Sequence, residues 1–183
     1  MAKYTQKAIM TAFQQMLEEM PFDRITVSAL VKRCEISSNT FYYHYHDIYE
    51  LLNAWLHMAF DSYFGEGQEL ADAVKSLLRG CKKHSRIIYH VFDSLSRNQL
   101  EQYTFSMTDD IISALVRSYA AGRSVPDGAL DELAGFCRYA FVGFFLKFLW
   151  ERMESDIDKT VDSLARLLDR FLKSAVEDFP END

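Results

Sequence analysis

Apolar residues recur with helical spacing along almost the whole chain. Ile9, Ala12, Phe13, Met16, Leu17 and Met20 fall at i, i+3, i+4, i+7, i+8 and i+11, one face of a helix that Thr5 can cap and Pro21 ends. Thr26 can cap a short helix with Leu30 and Val31 inward, and Cys34-Glu35-Ile36 breaks it. Ser37 or Ser38 can cap a second short helix holding Phe41 and Tyr45 at i, i+4. Asp47 opens a longer one, with Glu50 at the N3 position of a capping box. Its face is Leu51, Leu52, Trp55, Leu56, Ala59, Phe60 and Tyr63, fading at Gly65-Glu66-Gly67, a hinge or loop.

Beyond that loop, Leu70, Val74, Leu77, Leu78 and Cys81 make one face, and Ile87, Ile88, Val91, Phe92 and Leu95 a shorter one. Tyr103, Met107, Ile111 and Leu115 form an i+4 ladder running toward Tyr119, and Gly122 and Pro126 mark a loop. From Asp127 to Met153 aromatic and aliphatic residues point in every direction, which predicts a helix surrounded by protein on most sides. Val161, Leu164, Leu167, Leu168, Phe171 and Leu172 predict a last helix before a frayed EDFPEND tail. The expected fold is all-α with about nine helices: a three-helix unit over residues 1–47 and an antiparallel helical bundle over residues 48–183. Two short helices across a break of three or four residues are the sequence image of a helix-turn-helix.

The segment SSNTFYYHYHDIYELL sharpens this picture, because Phe41 to His46 are six consecutive rings and cannot share one face. Phe41 and Tyr45 are expected inward. Ser38, Asn39, Thr40, Tyr42, Tyr43 and His44 are left for solvent or a partner. Hydroxyls and phenols reach phosphates, and Asn can read adenine, so this set suits a DNA major groove. In a helix-turn-helix the second helix enters the groove with its N-terminal residues at base edges. The bland alternative is that Tyr42 or Tyr43 caps a core edge.

Charge limits the function classes. The net charge of −7 argues against a general nucleic-acid coat, but between Arg24 and His46 the balance is +2. Three prolines and seven glycines favour long helices over a turn-rich β architecture. Cys34, Cys81 and Cys137 are odd in number and lack a C-x-x-C pair, so neither a disulfide framework nor a zinc site is expected. The longest apolar run, Ala140 to Leu146, is too short to span a membrane, and the chain starts without a signal-like segment. A cytoplasmic protein is the expectation.

An enzyme is not expected. His44 and His46 stand at i, i+2 and face different sides of a helix. There is no H-E-x-x-H, phosphate loop or G-x-S-x-G. Cys81 and His84 at i, i+3 lack a third orienting group. No cofactor or metal is expected.

PFDRITVSALVKRCEISSNTFYYHYHDIYELL resembles the DNA-binding motif of the TetR family of bacterial transcription regulators, with T-F-Y-x-H-Y before a helix start as its most specific part. Within the family it looks closest to regulators grouped with dihydroxyacetone kinase. The resemblance implies a homodimer on a double-stranded DNA operator of two half-sites, acting as a repressor or an activator, and a C-terminal domain that often binds a small effector. It implies phosphate contacts from Thr26, Tyr42 and His44 and base or backbone contacts from Thr40 and Tyr43. Ser37, Ser38, Asn39 and His46 complete the expected DNA-binding set. Two departures weaken it: Glu35 stands where the family usually has a small residue, often Gly, and Ile48 where it usually has Lys.

Two further sets follow. Phe148, Trp150, Leu164, Leu168 and Phe171 are candidates for a twofold interface, or alternatively fill the chain's own core. Trp55, His57, Tyr89, His90, Tyr103, Phe141 and Phe144 are candidates to line an effector pocket, against the alternative that they are core. The rival function is a helical interaction protein whose helix-turn-helix no longer binds DNA.

Overall fold

A computed structural model describes residues 2–65, 68–177 and 179–180; the Gly65-Glu66-Gly67 hinge expectation falls partly outside them. Ten α-helices and no strand occur among the described residues, one helix more than expected. In chain order they are α1 Ala2–Glu19, α2 Val27–Arg33, α3 Ser38–His44, α4 Ile48–Asp61, α5 Leu70–Lys83, α6 Ser85–Phe92, α7 Arg97–Met107, α8 Asp109–Tyr119, α9 Asp127–Trp150 and α10 Ile157–Glu177. A 3-10 turn, Phe22–Arg24, follows α1. Thr5 is not a cap: α1 starts at Ala2 and Thr5 lies inside it.

The chain forms two compact units, Met1–Gly65 with Gly80–Leu100, and Glu66–Arg79 with Glu101–Asp183. This division differs from a boundary at residue 47, because α4 stays with the first unit and α6 returns to it.

In the first unit Ile9, Phe13, Leu17, Leu30, Phe41, Leu51 and Leu52 are fully buried. Phe13 meets Phe22 and Trp55 edge-on, at 6.2 and 6.4 Å between centroids. α6 is moored to α1 by the His90 ring, whose Nδ1 lies 2.6 Å from the Leu17 carbonyl. Gly80 makes room for Tyr63: a Cβ there would stand 2.0 Å from the Tyr63 hydroxyl.

In the second unit α8, α9 and α10 share a core of Ile112, Val116, Ala120, Leu130, Ala134, Cys137, Leu172 and Val176. Ion pairs tie its edges: Lys75 to Asp162 at 2.6 Å, Arg79 to Asp158 at 2.5 Å, and Arg138 to Asp109. Tyr119 donates to Asp169 at 2.8 Å, and burial together with that bond pushes its phenol up to about 12.

Three expectations need correction. The expected ladder Tyr103, Met107, Ile111, Leu115, Tyr119 is only half-buried; the buried ladder is one residue later, Thr104, Thr108, Ile112, Val116, Ala120. Thr108, between α7 and α8, donates its hydroxyl to the Thr104 carbonyl at 3.0 Å. α9 is not surrounded on most sides, since Phe136 and Tyr139 are 60% and 71% exposed. By length and composition alone α9 would be long and apolar enough to cross a membrane, a test that core helices of soluble proteins also pass, so it does not alter the expectation of no membrane span. The tail is fastened at its described residues: Arg123 donates to the Glu177 and Phe179 carbonyls, and the Ser124 N–H to that of Pro180.

Candidate nucleic-acid interface

Local rules build the helix-turn-helix one cap at a time. Thr26 caps α2, its hydroxyl oxygen accepting from Ala29 N–H at 3.2 Å. α2 ends in a Schellman turn, with Ile36 N–H donating to the Val31 carbonyl at 3.0 Å and Glu35 N–H to that of Lys32 at 3.3 Å. Glu35 takes φ 54 there, a left-handed conformation that favours glycine. Ser37, not Ser38, caps α3 and accepts from Thr40 N–H at 3.1 Å. The extended backbone at Tyr45 stops α3, and Asp47 caps α4 through Tyr49 and Glu50 N–H, both at 2.8 Å. Glu50 returns a bond to His46 N–H, one residue outside the cap.

The six rings sort by face. Phe41 and Tyr45 are buried, 0% and 4% exposed, with centroids 5.8 Å apart. Tyr42 and Tyr43 look outward, 56% and 79% exposed. Tyr42 lies edge-on against Phe41 at 5.4 Å, so its phenol projects from a fixed base. His44 is half-buried, with Tyr43 edge-on at 5.1 Å, and His46 is exposed. Thr26, Ser37, Ser38 and Asn39 are exposed and Thr40 half-buried, its hydroxyl 2.9 Å from that of Ser37.

This arrangement can bind anions without many cations. The Thr26 oxygen accepts its capping N–H and leaves the hydroxyl proton to donate outward, while Ser37 and Thr40 share one hydrogen bond, which leaves one proton of that pair to donate outward. Arg24 and Lys32 are exposed. Arg33 is engaged: it forks onto Glu19 with bonds of 2.7 and 2.6 Å, tying α2 to α1. Those bonds hold the Glu19 carboxyl below its usual range. Ile48, half-buried, opens α4 and supplies no cation there.

Two family profiles match the chain. That described as "Bacterial regulatory proteins, tetR family" covers residues 9–55, and the TetR-type "Transcriptional regulator C-terminal region" covers residues 68–170. The chain belongs to the TetR family of transcriptional regulators. Regulators of this family bind DNA, typically dimerise and are not enzymes. Solved structures share the fold. The "Dihydroxyacetone kinase operon activator DhaS" is 15% identical with a TM-score of 0.59, covering 97% of this chain and 98% of its own. The TetR family repressor AlkX from Dietzia sp. strain DQ12-45-1b is 16% identical with a TM-score of 0.60, covering 94% and 97%. A transcriptional regulator from Aquifex aeolicus VF5 is 16% identical with a TM-score of 0.51, covering 94% and 98%. No curated protein matches the chain.

The remaining candidates of this TetR-family chain divide. Phe148 is 2% exposed and belongs to the chain's own core, which removes it from any seam. Trp150, Leu164 and Phe171 are 49%, 39% and 37% exposed, and Leu168 is half-buried against the α8–α10 core. Phe136, Tyr139 and Leu167, which are not among the expected interface residues, are more exposed still. Phe136 and Phe171 touch, with centroids 5.0 Å apart, so α9 and α10 present one outward apolar face. The signal was available in the spacing of Phe136, Tyr139, Gly143 and Trp150, a stripe separate from the buried one. Of the pocket set, Trp55, His57, Tyr89 and His90 belong to the first unit and Tyr103, Phe141 and Phe144 to the second. The Trp55 indole Nε1 is buried without a partner, whereas His90 already holds Leu17. Burial pushes the Cys81 thiol up to about 12, which makes it a poor nucleophile beside His84.

Proposed function

We propose that this regulator is a homodimer that reads a near-palindromic DNA operator through α3 and responds to a small effector. The single observation that carries the reading is the outward Tyr42 phenol, braced on Phe41 and flanked by exposed hydroxyls. Ser38, Asn39 and Thr40 lie at base edges, Thr26 and Tyr42 donate to phosphates, and Ser37, Tyr43, His44 and His46 contact the backbone beside them. The outward face of Phe136, Tyr139, Trp150, Leu164, Leu167 and Phe171 is the dimer seam, where isologous packing buries apolar surface that one chain leaves in water. Dimerisation sets two copies of α3 about 34–36 Å apart, one helical turn of duplex.

The effector site lies beside Trp55, whose buried N–H an acceptor on the effector would satisfy. The protein acts in the cytoplasm. PFDRITV and NTFYYHYHDIYELL motivate the further reading of a dihydroxyacetone-kinase-type regulator. The second reading, an interaction protein that no longer binds DNA, draws on Arg33's engagement with Glu19 and on Glu35 beside α3.

Selection from random duplexes tests the proposal. The full chain should enrich a near-palindrome whose half-sites are centred about one helical turn apart. Recovery of no sequence, with the protein folded, would favour the interaction-protein reading.

A further inference from the structure

The corner between α5 and α6 carries a basic cluster that no role given so far uses. Lys82 and Lys83 end α5, His84 forms the one-residue break, and Arg86 stands in the first turn of α6. All four side chains are exposed, and among the described residues Lys82, Lys83 and Arg86 make no ion pair. Arg33, Lys75, Arg79, Arg117, Arg138, Lys147 and Lys173 are paired with carboxylates, whereas among the described residues Arg24 and Lys32 share the corner's lack of an ion pair. No Asp or Glu occurs between Asp72 and Asp93.

Helix stability accounts for only part of this. Lys82 and Lys83 suit the negative end of α5. Arg86 sits at the positive end of α6, with no acidic residue in that turn, where a cation is disfavoured. The corner is also held in place. Cys81 and Ile87 on its inner side are 6% and 5% exposed, and His90 fixes α6 to α1.

The charge balance of the first unit points to a partner. Residues 1–65, which include the helix-turn-helix, hold five Lys and Arg against seven Asp and Glu. Residues 80–100 hold four against one. The unit therefore reaches a positive net charge only through the α5–α6 segment, while the other unit holds the acidic excess. In the DNA-reading unit Arg33 is engaged and α4 starts with Ile48, which leaves Arg24 and Lys32 exposed near α2 and α3, and further cations on the same unit would add to their attraction for phosphate.

We propose that Lys82, Lys83 and Arg86 form a second contact surface for the phosphate backbone of duplex DNA, separate from the base-reading helix. The proposal rests on the operator-binding reading above. It adds affinity and salt dependence but no sequence preference.

The test compares the wild-type full chain with a Lys82→Gln/Lys83→Gln/Arg86→Gln variant on the selected operator and on an unrelated duplex of equal length, across a salt series. Each phosphate contact contributes about 0.9 to the slope of log affinity against log salt, so the slope should fall by roughly 2–3. Binding to both duplexes should weaken by the same factor, and the ratio between them should stay constant. A Lys82→Arg/Lys83→Arg/Arg86→Lys variant should keep the wild-type slope. If the triple Gln variant loses its fold, the single variants Lys83→Gln and Arg86→Gln should each lower the slope by about 1. Unchanged slope and affinity in folded variants would overturn the proposal, leaving the corner to an acidic protein partner or to none. Wild type that binds neither duplex would instead overturn the operator-binding reading itself.

Discussion

Glu35 occupies the left-handed position that closes α2, at φ 54, and its carboxylate stands two residues before the Ser37 cap of α3. An L-residue there costs about 1–2 kcal/mol, part of which glycine gives back through its freedom when unfolded. Glu35→Gly should therefore raise stability by about 0.5–1 kcal/mol in urea unfolding, and Glu35→Ala, which keeps the Cβ, should change little. A less stable glycine variant would mean the turn is unstrained. Glu19 offers a pH handle. Arg33's hydrogen bonds lower its carboxyl pKa in the folded state, so the pair contributes fully above the ordinary Glu range and is lost as pH falls through the lowered value. The stability difference between wild type and Glu19→Gln should shrink in acid, as thermal melts across pH would show. Residue-scale capping was legible in advance: Thr26, Ser37 and Asp47 are caps because short oxygen side chains precede apolar periods. The Glu19–Arg33 fork was not legible, since it joins residues fourteen apart on separate helices.

At the scale of elements, periodicity located the helices but not always their inner faces. The α7–α8 ladder shifted by one because two of its buried members are Thr104 and Thr108, which a hydropathy pattern counts as polar. Thr108 satisfies its hydroxyl within its own turn and so can be buried. α9 and α10 misled in the opposite sense, because aromatic residues on every side look like core. Phe148 does go in and Phe136 and Tyr139 do not; spacing sets them on different stripes of α9, and only tertiary packing decides which stripe is buried. α10 shows the same division, and mutation should separate its faces. Leu172 is fully buried in the α8–α9–α10 core, so Leu172→Ala should cost about 2–5 kcal/mol. Leu167 is 59% exposed, so Leu167→Ala should leave unfolding of the single chain nearly unchanged and weaken self-association. Equal destabilisation by both would contradict the facing assigned to α10.

For the whole molecule, the proposed seam and the α3 interface depend on each other, because one short helix binds weakly and two bind together. A charge at the centre of an apolar seam opposes its own copy across the twofold axis. Leu167→Glu and Phe171→Glu should each sediment as folded monomers, and their operator affinity should drop with the lost avidity. Phe148→Glu, by contrast, should fail to fold, since its side chain has no route to solvent. A persistent dimer in both seam variants would move the interface off α9 and α10. The all-helical plan and the helix-turn-helix were readable in the sequence. Two units were expected as well, but their boundary was not readable, because α6 returns to the first unit through contacts with α1 that no local pattern records. The most direct measurement is footprinting on the selected operator with wild type and Tyr42→Ala, alongside circular dichroism and sedimentation. Wild type should protect both half-sites, and Tyr42→Ala should lose protection while keeping its helicity and its oligomeric state. Full protection by the variant would contradict the assignment of α3 as the DNA-reading helix.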